Sequence, residues 1–593
     1  MSDILDLPKP KIKDRQPNIE VEDFCLKHGL HPLLARIIAS RPRPDGLDAR
    51  EMLLPKLAAL DTPYAMKDIK KAALRLAKAI INKEYIGIET DHDCDGQTSH
   101  AVIFYNLNVY FKHPVNRIYS YIGHRLNEGY GLSDSVVDRI LQDLPNASLI
   151  ITADNGSSDE PRIKRLQDAG IDVIVTDHHE IPIEGVPNSA YACLNPSRDD
   201  CDYKDKYIAG CMVAWLLMVA TREELINSGY LAKNTPKLVD SLDFVAVGTV
   251  ADCVSMAQSK NNRAVVAYGL KYIQAGARPC WRAIKSLLNN QITAEDLAFR
   301  IAPILNSDGR LASAFGSVNF LLAETDLVAK EWVVQLQELN KQRKSIQKDI
   351  TQQGLKQAIS QTNAKCKAIT IFLEDSHTGV HGISASRIKE YFGRPTAFFA
   401  AKVNNPEILA GSIRGVDNFH VRGALQFIAD RNNKLFITFG GHKGAGGVTL
   451  KREDFPIFVE LFEQAAIEQL GATELGPIIW TDGELPQEWI NLDILQELDK
   501  LEPFGREFEL PVFQALAKLQ SLRVIGDGTH ARVVLGIKGT NYQGVWFGMR
   551  NSVMEPIAVN VADNVIVAYS LKLNEFNGGK KCELQIVHMQ KTI

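Results

Sequence analysis

The hydrophobic pattern changes along the chain, and these changes predict the order of its secondary structure. Residues 1–80 carry apolar residues at three- and four-residue spacing, as in MKDIKKAALRLAKAII, which is typical of helices. Three short apolar runs follow, EYIGIET, ASLIITA and IDVIVT, whose length and β-branched residues favour strands. Helix-like segments separate the runs, including SDSVVDRILQDL behind a candidate N-cap serine. Strands that alternate with helices predict a parallel sheet.

The second half of the chain has a different pattern. Residues 331–364 begin with 23 residues without Gly or Pro and carry helical spacing, which predicts one long helix that connects two domains. Residues 365–470 show a second, smaller α/β pattern. Residues 471–593 are rich in strand and turn signals such as VIGDGTHARVVLGIKG, which predict a small β-barrel. The N-terminal helical segment, 1–80, is expected to pack on the parallel-sheet domain, 81–330.

Composition places the chain among ordinary globular proteins. Its 593 residues, 45% hydrophobic and 23% charged, suffice for several domains of about 150 residues. No apolar run predicts a membrane helix and the N-terminus lacks the pattern of a secretory signal, so we expect a cytoplasmic protein. Nine cysteines without a CxxC pair favour reduced thiols over disulfides or a zinc site. With a net charge of −4, nucleic-acid binding would need local basic patches.

Acidic and imidazole side chains stand where the apolar runs end. In ETDHDCDG, Asp91, Asp93 and Asp95 alternate after the first run and would share one face of an extended segment. Asp154 follows the second run, TDHHE closes the third, and a fourth run, FVAVGTVADC, ends in another aspartate. Taken singly, these clusters also fit an acidic turn or polar residues that close a strand. Taken together, they predict one site, because ligands bind beyond the carboxyl ends of parallel strands.

Convergent carboxylates favour a metal site. Their charges repel one another unless a cation neutralises them. Carboxylates with imidazoles and no thiolate suit Mn²⁺ or Mg²⁺ better than structural Zn²⁺. The number of such groups exceeds the needs of one ion, so we expect two ions that share a bridging carboxylate. Two metals about 3.5–4 Å apart serve phosphoester hydrolysis.

A resemblance to the DHH phosphoesterase superfamily is carried by four motifs in this order and spacing: DHDCDG, TADNG, TDHHE and GTVADC. Further motifs narrow it to the bacterial RecJ family of single-strand-specific 5′ to 3′ exonucleases, over about residues 50–590: RLNEGYGL, LNSDGRLASA, HTGVHGISASRIKEYFGRP, GSIRGVDNFH, FGGHKGAGG and LEPFG. The resemblance implies an α/β fold with a parallel-sheet DHH domain, a long connecting helix, a smaller α/β DHHA1 domain and a C-terminal OB-fold β-barrel.

The resemblance also implies roles for single residues. The implied metal ligands are Asp91, Asp93, Asp95, Asp154, His178 and Asp252. Asp154 would bridge the ions, His179 would contact the scissile phosphate, and Asp177 would orient a histidine, so that these three act in catalysis with His178. Some superfamily branches have a histidine four residues before the first aspartate. Gly87 stands there in this chain, which makes Asp95 a candidate replacement ligand.

Substrate binding is implied for six residues: Arg125, Arg310, Arg387, Ser412, Arg414 and His442. Four of them, Arg125, Arg310, Ser412 and Arg414, would contact the phosphates, including the 5′ end, and His442 would help hold the substrate opposite the metals. The planar fork of arginine holds phosphate oxygens bidentately, and the alternative for an isolated arginine is a surface salt bridge. The small neighbours in GSIRG and SDGRL favour phosphate contact, because they allow close approach. GGHKGAGG lacks the GK[ST] ending of a P-loop, and a glycine-rich hairpin is the alternative reading for its histidine.

The C-terminal domain would grip single strands with basic and aromatic residues. Its candidates are Phe504, Arg506, Arg523, His530, Arg532, Trp546, Phe547, Phe576 and Lys580. The alternative for most of the aromatic residues is a place in the barrel core. After LEPFG the chain reads REFELPVF, where the family usually has an Asn-Pro turn.

These expectations predict a metal-dependent exonuclease that releases 5′-mononucleotides from single-stranded DNA in repair and recombination. One alternative is a DHH/DHHA1 phosphodiesterase for short oligonucleotides or cyclic dinucleotides, but the N-terminal segment and C-terminal domain favour a longer strand. The other is a catalytically silent replication or repair scaffold, against which every retained ligand type argues. The resemblance implies a single-strand-binding protein and a helicase as partners. We expect no membrane partner, and a monomer is the default.

Overall fold

A computed structural model describes residues 7–44, 48–53, 55–125, 128–144, 149–288, 291–403, 405–550, 553, 555–576 and 579–592. The chain forms two compact units. The parallel-sheet unit comprises Arg41–Arg343 and Leu501–Glu509. The barrel unit comprises Met1–Ser40, Lys344–Lys500 and Leu510–Ile593.

The strands within the described residues are, in chain order, β1 (Lys11–Asp14), β2 (Ile86–Thr90), β3 (Ile118–Ile122), β4 (Leu149–Ala153), β5 (Asp172–Thr176), β6 (Ala192–Leu194), β7 (Ile369–Phe372), β8 (Thr396–Lys402), β9 (Asn405–Arg414), β10 (Phe436–Gly441), β11 (Ala445–Lys451), β12 (Ile478–Thr481), β13 (Phe513–Ile525), β14 (His530–Ile537), β15 (Thr540–Trp546), β16 (Asn564–Phe576) and β17 (Gly579–Lys591).

The α-helices are α1 (Ile19–Lys27), α2 (Pro32–Ala39), α3 (Ile69–Ile81), α4 (Cys94–Tyr105), α5 (Asp134–Asp143), α6 (Glu160–Asp168), α7 (Gly210–Asn227), α8 (Leu242–Ala251), α9 (Lys260–Ala275), α10 (Pro279–Ile284), α11 (Ala294–Asp296), α12 (Ala302–Leu311), α13 (Phe315–Leu321), α14 (Asp326–Asn363), α15 (His381–Phe392), α16 (Val421–Arg431), α17 (Phe455–Leu470) and α18 (Leu492–Asp499). None of the helices in this part of the chain is both long and apolar enough to cross a membrane.

The parallel-sheet unit is built on a five-stranded sheet of order β3-β2-β4-β5-β6, in which every neighbouring pair is parallel. β2, β4 and β5 are the three apolar runs that the sequence predicts as strands, and the prediction is confirmed. Every residue of β2 and β4 is buried, as expected for strands covered on both faces. The predicted N-cap is also present, since the Ser133 side chain accepts a hydrogen bond from the Val136 backbone N–H.

The fourth apolar run is not a strand of this sheet. It forms α8, and Asp252 is the C-cap of that helix. Because the run is buried all round, it has no polar face that would mark it as a helix. A short apolar run of this kind fits a buried helix as well as a buried strand.

The N-terminal prediction needs correction for residues 7–40. These residues belong to the barrel unit, not to the parallel-sheet unit, and β1 is a strand that pairs in parallel with β12. The side chains of KIKD alternate between exposed and half-buried positions, as in a strand, but Ile12 is the one apolar residue among them, so the sequence does not show this alternation. Asp14 at its end accepts hydrogen bonds from the Thr481 hydroxyl and the Gln514 amide.

The barrel unit contains the two smaller folds that the sequence predicts. A mixed sheet of order β10-β11-β9-β8-β7 is joined by α15, α16 and α17. β13-β14-β15-β17-β16 close into a barrel, which confirms the predicted C-terminal β-barrel. The predicted connector is α14, which is 38 residues long and begins at Asp326, before the expected start.

Candidate active site

Three aspartates leave the parallel sheet at one edge. β2, β4 and β5 pair in register, so their last residues lie side by side. The next residues in the chain are Asp91, Asp154 and Asp177. Asp154 has a left-handed backbone, with φ of 64°, which turns the chain out of the sheet at once. Such a conformation is costly for a residue with a side chain and is typical of functional sites.

The other two acids of ETDHDCDG are placed by a helix rather than by an extended segment. Asp93 is the N-cap of α4, and its Oδ1 accepts hydrogen bonds from the backbone N–H groups of Asp95 (2.9 Å) and Gly96 (3.2 Å). Asp95 lies in the first turn of that helix. The expected alternation along a strand is therefore wrong, although the three carboxylates still meet at the same edge.

The ligand atoms gather on both sides of Asp154. One set joins Asp91, Asp93 and Asp154, with its three atoms within 4.8 Å of one another. On the other side, His178 Nε2 lies 3.2 Å from Asp154 Oδ1 and 3.6 Å from Asp252 Oδ2. Asp154 thus belongs to both sides, which is the position that a bridging ligand requires.

The electrostatics of the cluster fit a cation. Burial, and then the charges of neighbouring aspartates, raise the pKa of Asp154 and of Asp252 well above that of an ordinary aspartate. Burial, followed by the charge of His179, lowers the pKa of His178 to about 4. His178 is therefore a neutral imidazole at neutral pH, the form that binds a metal. Oxygen-rich donors with imidazole favour Mn²⁺ or Mg²⁺.

Asp177 and His179 form a tight pair beside this cluster. Asp177 Oδ1 accepts hydrogen bonds from His179 Nδ1 (2.7 Å) and from the backbone N–H of His178 (2.8 Å), and its Oδ2 accepts one from Ser157 N–H (3.0 Å). Burial opposes charge on both groups, but their mutual attraction prevails. It lowers the pKa of Asp177 and raises that of His179 to about 10. This is the geometry that the predicted orienting role of Asp177 needs.

Asp95 has a second set of contacts that the sequence does not reveal. Its Oδ2 accepts a hydrogen bond from Gly210 N–H (2.7 Å) and its Oδ1 one from Cys211 N–H (3.0 Å), at the N-terminus of α7. The same Oδ2 lies 3.9 Å from His178 Nε2. Asp95 therefore fixes one helix to another, and its role as a metal ligand stays a prediction.

Two glycines allow the close packing of these elements. A Cβ on Gly210 would lie 2.8 Å from Asp154 Oδ1, and a Cβ on Gly309 would lie 1.9 Å from the His92 carbonyl oxygen. Gly309 belongs to the motif LNSDGRLASA, so the sequence carries a signal for it. Gly210 belongs to none of the RecJ-like motifs, and only the fold shows that its neighbour is Asp154.

Three family models match the chain: the DHH family N-terminal domain over residues 85–249, the DHHA1 domain over 365–468 and the RecJ OB domain over 481–588. A single-stranded-DNA-specific exonuclease RecJ from Haemophilus influenzae is 32% identical over 573 residues, which cover 94% of this chain and 96% of that protein. The protein of that name from Dickeya dadantii is 33% identical over 587 residues, or 97% and 98% of the two chains. The chain belongs to the RecJ family.

Solved RecJ structures agree with the fold and with the donor set. RecJ from Thermus thermophilus in complex with Mn²⁺ matches with a TM-score of 0.78 and 26% identity, covering 100% of this chain and 80% of that one. The Mg²⁺ complex matches with a TM-score of 0.72 and 25% identity, covering 99% and 79%. The ions named for those RecJ structures are the two that the carboxylates and imidazole of this chain favour.

Two of the arginines implied by the RecJ resemblance lie in the parallel-sheet unit. Arg310 follows Gly309 in the last turn of α12, next to the glycine that packs on the His92 carbonyl. Arg125 lies in the turn after β3 and is partly exposed, and residues 126–127 lie outside the described range. Arg310 is thus placed beside the first acidic motif.

The other implied contacts lie in the barrel unit. Ser412 and Arg414 are two residues apart on β9 and share its half-buried face. Arg414 pairs with Ala445 across to β11, and His442 lies in the turn that joins β10 to β11. Arg387 is exposed on α15, where it pairs with Glu390 at 3.5 Å, so a surface ion pair describes its contacts here. Ser412, Arg414 and His442 therefore lie on, or in the turn next to, the paired strands β9 and β11.

The barrel divides its aromatic candidates between core and surface. Trp546 is only 4% exposed and is part of the barrel core. Phe547 is 58% exposed, and its ring lies 5.6 Å from that of His530. The side chain of Phe576 lies outside what the structure describes. Of Trp546 and Phe547, only Phe547 therefore presents its ring to solvent.

Mn²⁺ is expected to raise the melting temperature of the protein, and to raise it more at pH 8 than at pH 6. The pKa values of Asp154 and Asp252 in the metal-free fold exceed those in the unfolded chain, so their contribution to stability is lost as pH rises. A divalent ion favours the charged carboxylates and offsets this loss, by about 2.7 kcal/mol at 100 times its Kd. Calorimetry with EDTA or Mn²⁺ at both pH values measures the effect. Equal shifts at the two pH values would contradict it.

Proposed function

We propose that this protein is a metal-dependent exonuclease that removes 5′-mononucleotides from single-stranded DNA in the 5′ to 3′ direction, in DNA repair and recombination. The observation that carries the proposal is the cluster around Asp154, with Asp91 and Asp93 on one side and His178 and Asp252 on the other. The two relatives named above, which match this chain over nearly their whole length, are single-stranded-DNA-specific exonucleases. The cofactor is Mn²⁺ or Mg²⁺, with two ions.

The chain's own residues have separate tasks in the hydrolysis. Bound ions supply an activated water and neutralise charge on the phosphate. Asp154 holds both sides of the cluster together, and neutral His178 offers Nε2 toward it. His179, kept cationic and in one orientation by Asp177, stabilises the charge that develops on a phosphate oxygen. Positive charge fixed in a buried site acts more strongly than it would in water.

Arginine and hydroxyl groups support the binding of the strand. We infer that Arg125 and Arg310 hold phosphates near the metal cluster, and that Ser412, Arg414 and His442 bind phosphates that include the 5′ end. Arginine suits this task because its fork donates to two oxygens at once. The half-buried face shared by Ser412 and Arg414 gives both side chains a fixed direction.

The test is digestion of single-stranded DNA labelled at its 5′ or its 3′ end, with duplex DNA and a dinucleotide as competing substrates. With Mn²⁺ or Mg²⁺, the 5′ label is expected to be released first, as a mononucleotide, and duplex DNA to persist. Faster cleavage of the dinucleotide than of the long strand would favour the short-oligonucleotide phosphodiesterase. If single strands are not lost when metal is added, the exonuclease proposal fails and the catalytically silent scaffold is the remaining hypothesis.

Phe547→Ala is expected to weaken the binding of single-stranded DNA without changing the hydrolysis of a dinucleotide. Loss of one stacked base costs about 1–3 kcal/mol, or about 5- to 150-fold in Kd. Fluorescence anisotropy with a labelled oligonucleotide measures the change. The matched control is Leu516→Ala, which removes another exposed apolar side chain, 63% exposed, from the same barrel. Equal effects of the two substitutions would remove the argument for stacking.

Partners and location are part of the same proposal. A single-strand-binding protein that presents the strand and a helicase that produces it are the expected partners, because the substrate arises from unwound duplex. We infer a cytoplasmic monomer. Sedimentation of the purified chain with and without a single-strand-binding protein tests both the oligomeric state and the first of these partners.

A further inference from the structure

The segment Leu501–Glu509, LEPFGREFE, is separated from its neighbours in the chain. It belongs to the parallel-sheet unit, whereas the chain before and after it belongs to the barrel unit. We name this segment the clip. Phe504 and Arg506, expected from the sequence in the OB fold, both lie in it. A motif that looks like part of the C-terminal domain is therefore part of the unit that holds the metal cluster.

A buried arginine anchors the clip. Arg263 in α9 is 1% exposed, and its guanidinium donates hydrogen bonds to the carbonyl oxygens of Leu501 (2.8 Å), Pro503 (3.0 Å) and Met52 (2.7 Å). Its guanidinium also stacks 4.4 Å from the ring centre of Phe508. A charged group taken out of water needs hydrogen-bond acceptors, and the two terminal nitrogens of Arg263 find two of their three in the clip, so these contacts hold the clip in place.

The clip then binds the residues that follow Asp252. The backbone N–H of Met256 donates to the carbonyl oxygen of Arg506 at 3.0 Å, and Arg506 Nη1 donates to the carbonyl oxygen of Cys253 at 3.3 Å. Close packing accompanies these bonds, since a Cβ on Gly505 would lie 2.6 Å from Met256 Cγ. The backbone on both sides of this contact is therefore fixed.

Glu507 connects the clip to the side chains of Ser255 and Gln258. Its Oε2 accepts hydrogen bonds from the Ser255 hydroxyl at 2.5 Å and from the Gln258 amide at 2.9 Å. The Ser255 hydroxyl oxygen in turn accepts one from the Gln258 backbone N–H at 2.9 Å. A carboxylate that accepts two hydrogen bonds in a partly buried place holds the turn that begins just after Asp252.

This turn needs external support. Cys253 has a φ of 58°, a left-handed conformation that is unfavourable for a residue with a side chain. It directly follows Asp252, whose Oδ2 lies 3.6 Å from His178 Nε2. Relaxation of Cys253 toward an ordinary backbone would redirect the Asp252 side chain away from the cluster.

We propose that the clip positions Asp252 for the metal site, with Glu507 and Arg506 as positioning residues that hold the strained turn at Cys253. This inference rests on the proposed function, because it gives Asp252 the role of a metal ligand. In this proposal, the position of the Asp252 side chain depends on a segment about 250 residues further along the chain.

Glu507→Ala in the full-length protein tests the inference. We expect Mn²⁺ affinity at one of two sites to fall about 10- to 100-fold, as for other groups that orient metal ligands. Isothermal titration calorimetry and electron paramagnetic resonance of Mn²⁺ measure this without reference to activity. At subsaturating Mn²⁺, kcat should fall by a similar factor, while KM for single-stranded DNA stays within about twofold of the wild-type value.

Three further variants make the result specific. Glu507→Gln keeps an oxygen that can accept both hydrogen bonds, so its Mn²⁺ affinity should remain within about threefold of wild type. Ser255→Ala should act in the same direction as Glu507→Ala, and the double variant should be no worse than the more severe single one. Glu331→Ala removes an exposed carboxylate of the same unit and should change nothing. If Glu507→Ala fails to fold, Ser255→Ala carries the test.

The outcomes separate the inference from the proposed function. Wild-type Mn²⁺ affinity at both sites in Glu507→Ala and Ser255→Ala would overturn the positioning role. A raised KM with unchanged Mn²⁺ binding would also overturn it, because it would make the clip a substrate contact. If the wild-type protein does not digest single-stranded DNA but Glu507→Ala still loses Mn²⁺ affinity, the positioning role stands and the exonuclease proposal fails.

Discussion

Asp154→Ala is expected to lower metal-dependent hydrolysis of single-stranded DNA by about 10³-fold or more, which corresponds to about 4 kcal/mol of transition-state stabilisation. Asp154 contributes to the ligand sets on both sides of the cluster, and its Oδ1 lies 3.2 Å from His178 Nε2. Its removal would therefore disturb both of the proposed ion positions at once. Initial rates with 5′-labelled single strands at saturating Mn²⁺ measure the loss.

The melting temperature of Asp154→Ala shows whether the variant is folded. The pKa of Asp154 is raised well above its ordinary value by burial and by neighbouring aspartates, so its charge opposes folding when no metal is bound. At pH 8 the metal-free variant should melt no lower than the metal-free wild type, and Mn²⁺ should stabilise it less. Asp168→Ala, which removes an exposed carboxylate from α6, should leave activity intact. Full activity in Asp154→Ala would contradict the assignment.

Asp177→Asn is expected to lower kcat about 10- to 100-fold while Mn²⁺ binding stays within about threefold of wild type. Asp177 uses both oxygens as acceptors, from His179 Nδ1 and from the backbone N–H groups of His178 and Ser157. An amide nitrogen in place of one oxygen would face an N–H donor, and the negative charge beside His179 would be lost. The pair would lose both its orientation and its charge balance.

The pH dependence of Asp177→Asn separates this role from a merely structural one. Asp177 raises the pKa of His179 to about 10, so the wild-type imidazole keeps its proton through neutral pH. Without the carboxylate, this pKa should fall toward the ordinary histidine value of about 6.5. The residual activity of the variant should then decline with rising pH at a lower pH than wild-type activity does. His179→Ala should show no such decline, and an unchanged profile in Asp177→Asn would contradict the role.

The sequence predicts the sheet and its acidic edge well for a physical reason. Strands buried on both faces read as short apolar runs, and each of three runs ends at an aspartate that the sheet register then brings side by side. Asp91, Asp154 and Asp177 are therefore predictable without a structure. The closed barrel is also predictable, because turn residues separate its strands in the sequence.

Other parts depend on contacts that local patterns do not contain. α8 reads like a strand because it is short and buried all round, and β1 is too short for its alternation to stand out in a helical segment. The hydrogen bonds of Asp95 come from backbone groups 115 and 116 residues away. From its position in the sequence, the clip is expected in the C-terminal domain. Its contacts, which the sequence does not show, place it in the parallel-sheet unit. Arg387 illustrates the limit for surface residues, where an ion pair and a phosphate contact have the same sequence signature.

We propose above all that one cluster of carboxylates and imidazoles holds two divalent ions around Asp154. Anomalous diffraction at the manganese edge, from crystals of the full-length protein grown with Mn²⁺, tests it most directly. We predict two peaks about 3.5–4 Å apart. One should lie beside Asp91 and Asp93 and the other beside His178 and Asp252, with Asp154 in contact with both. A single peak, or two peaks without Asp154 between them, would contradict the account.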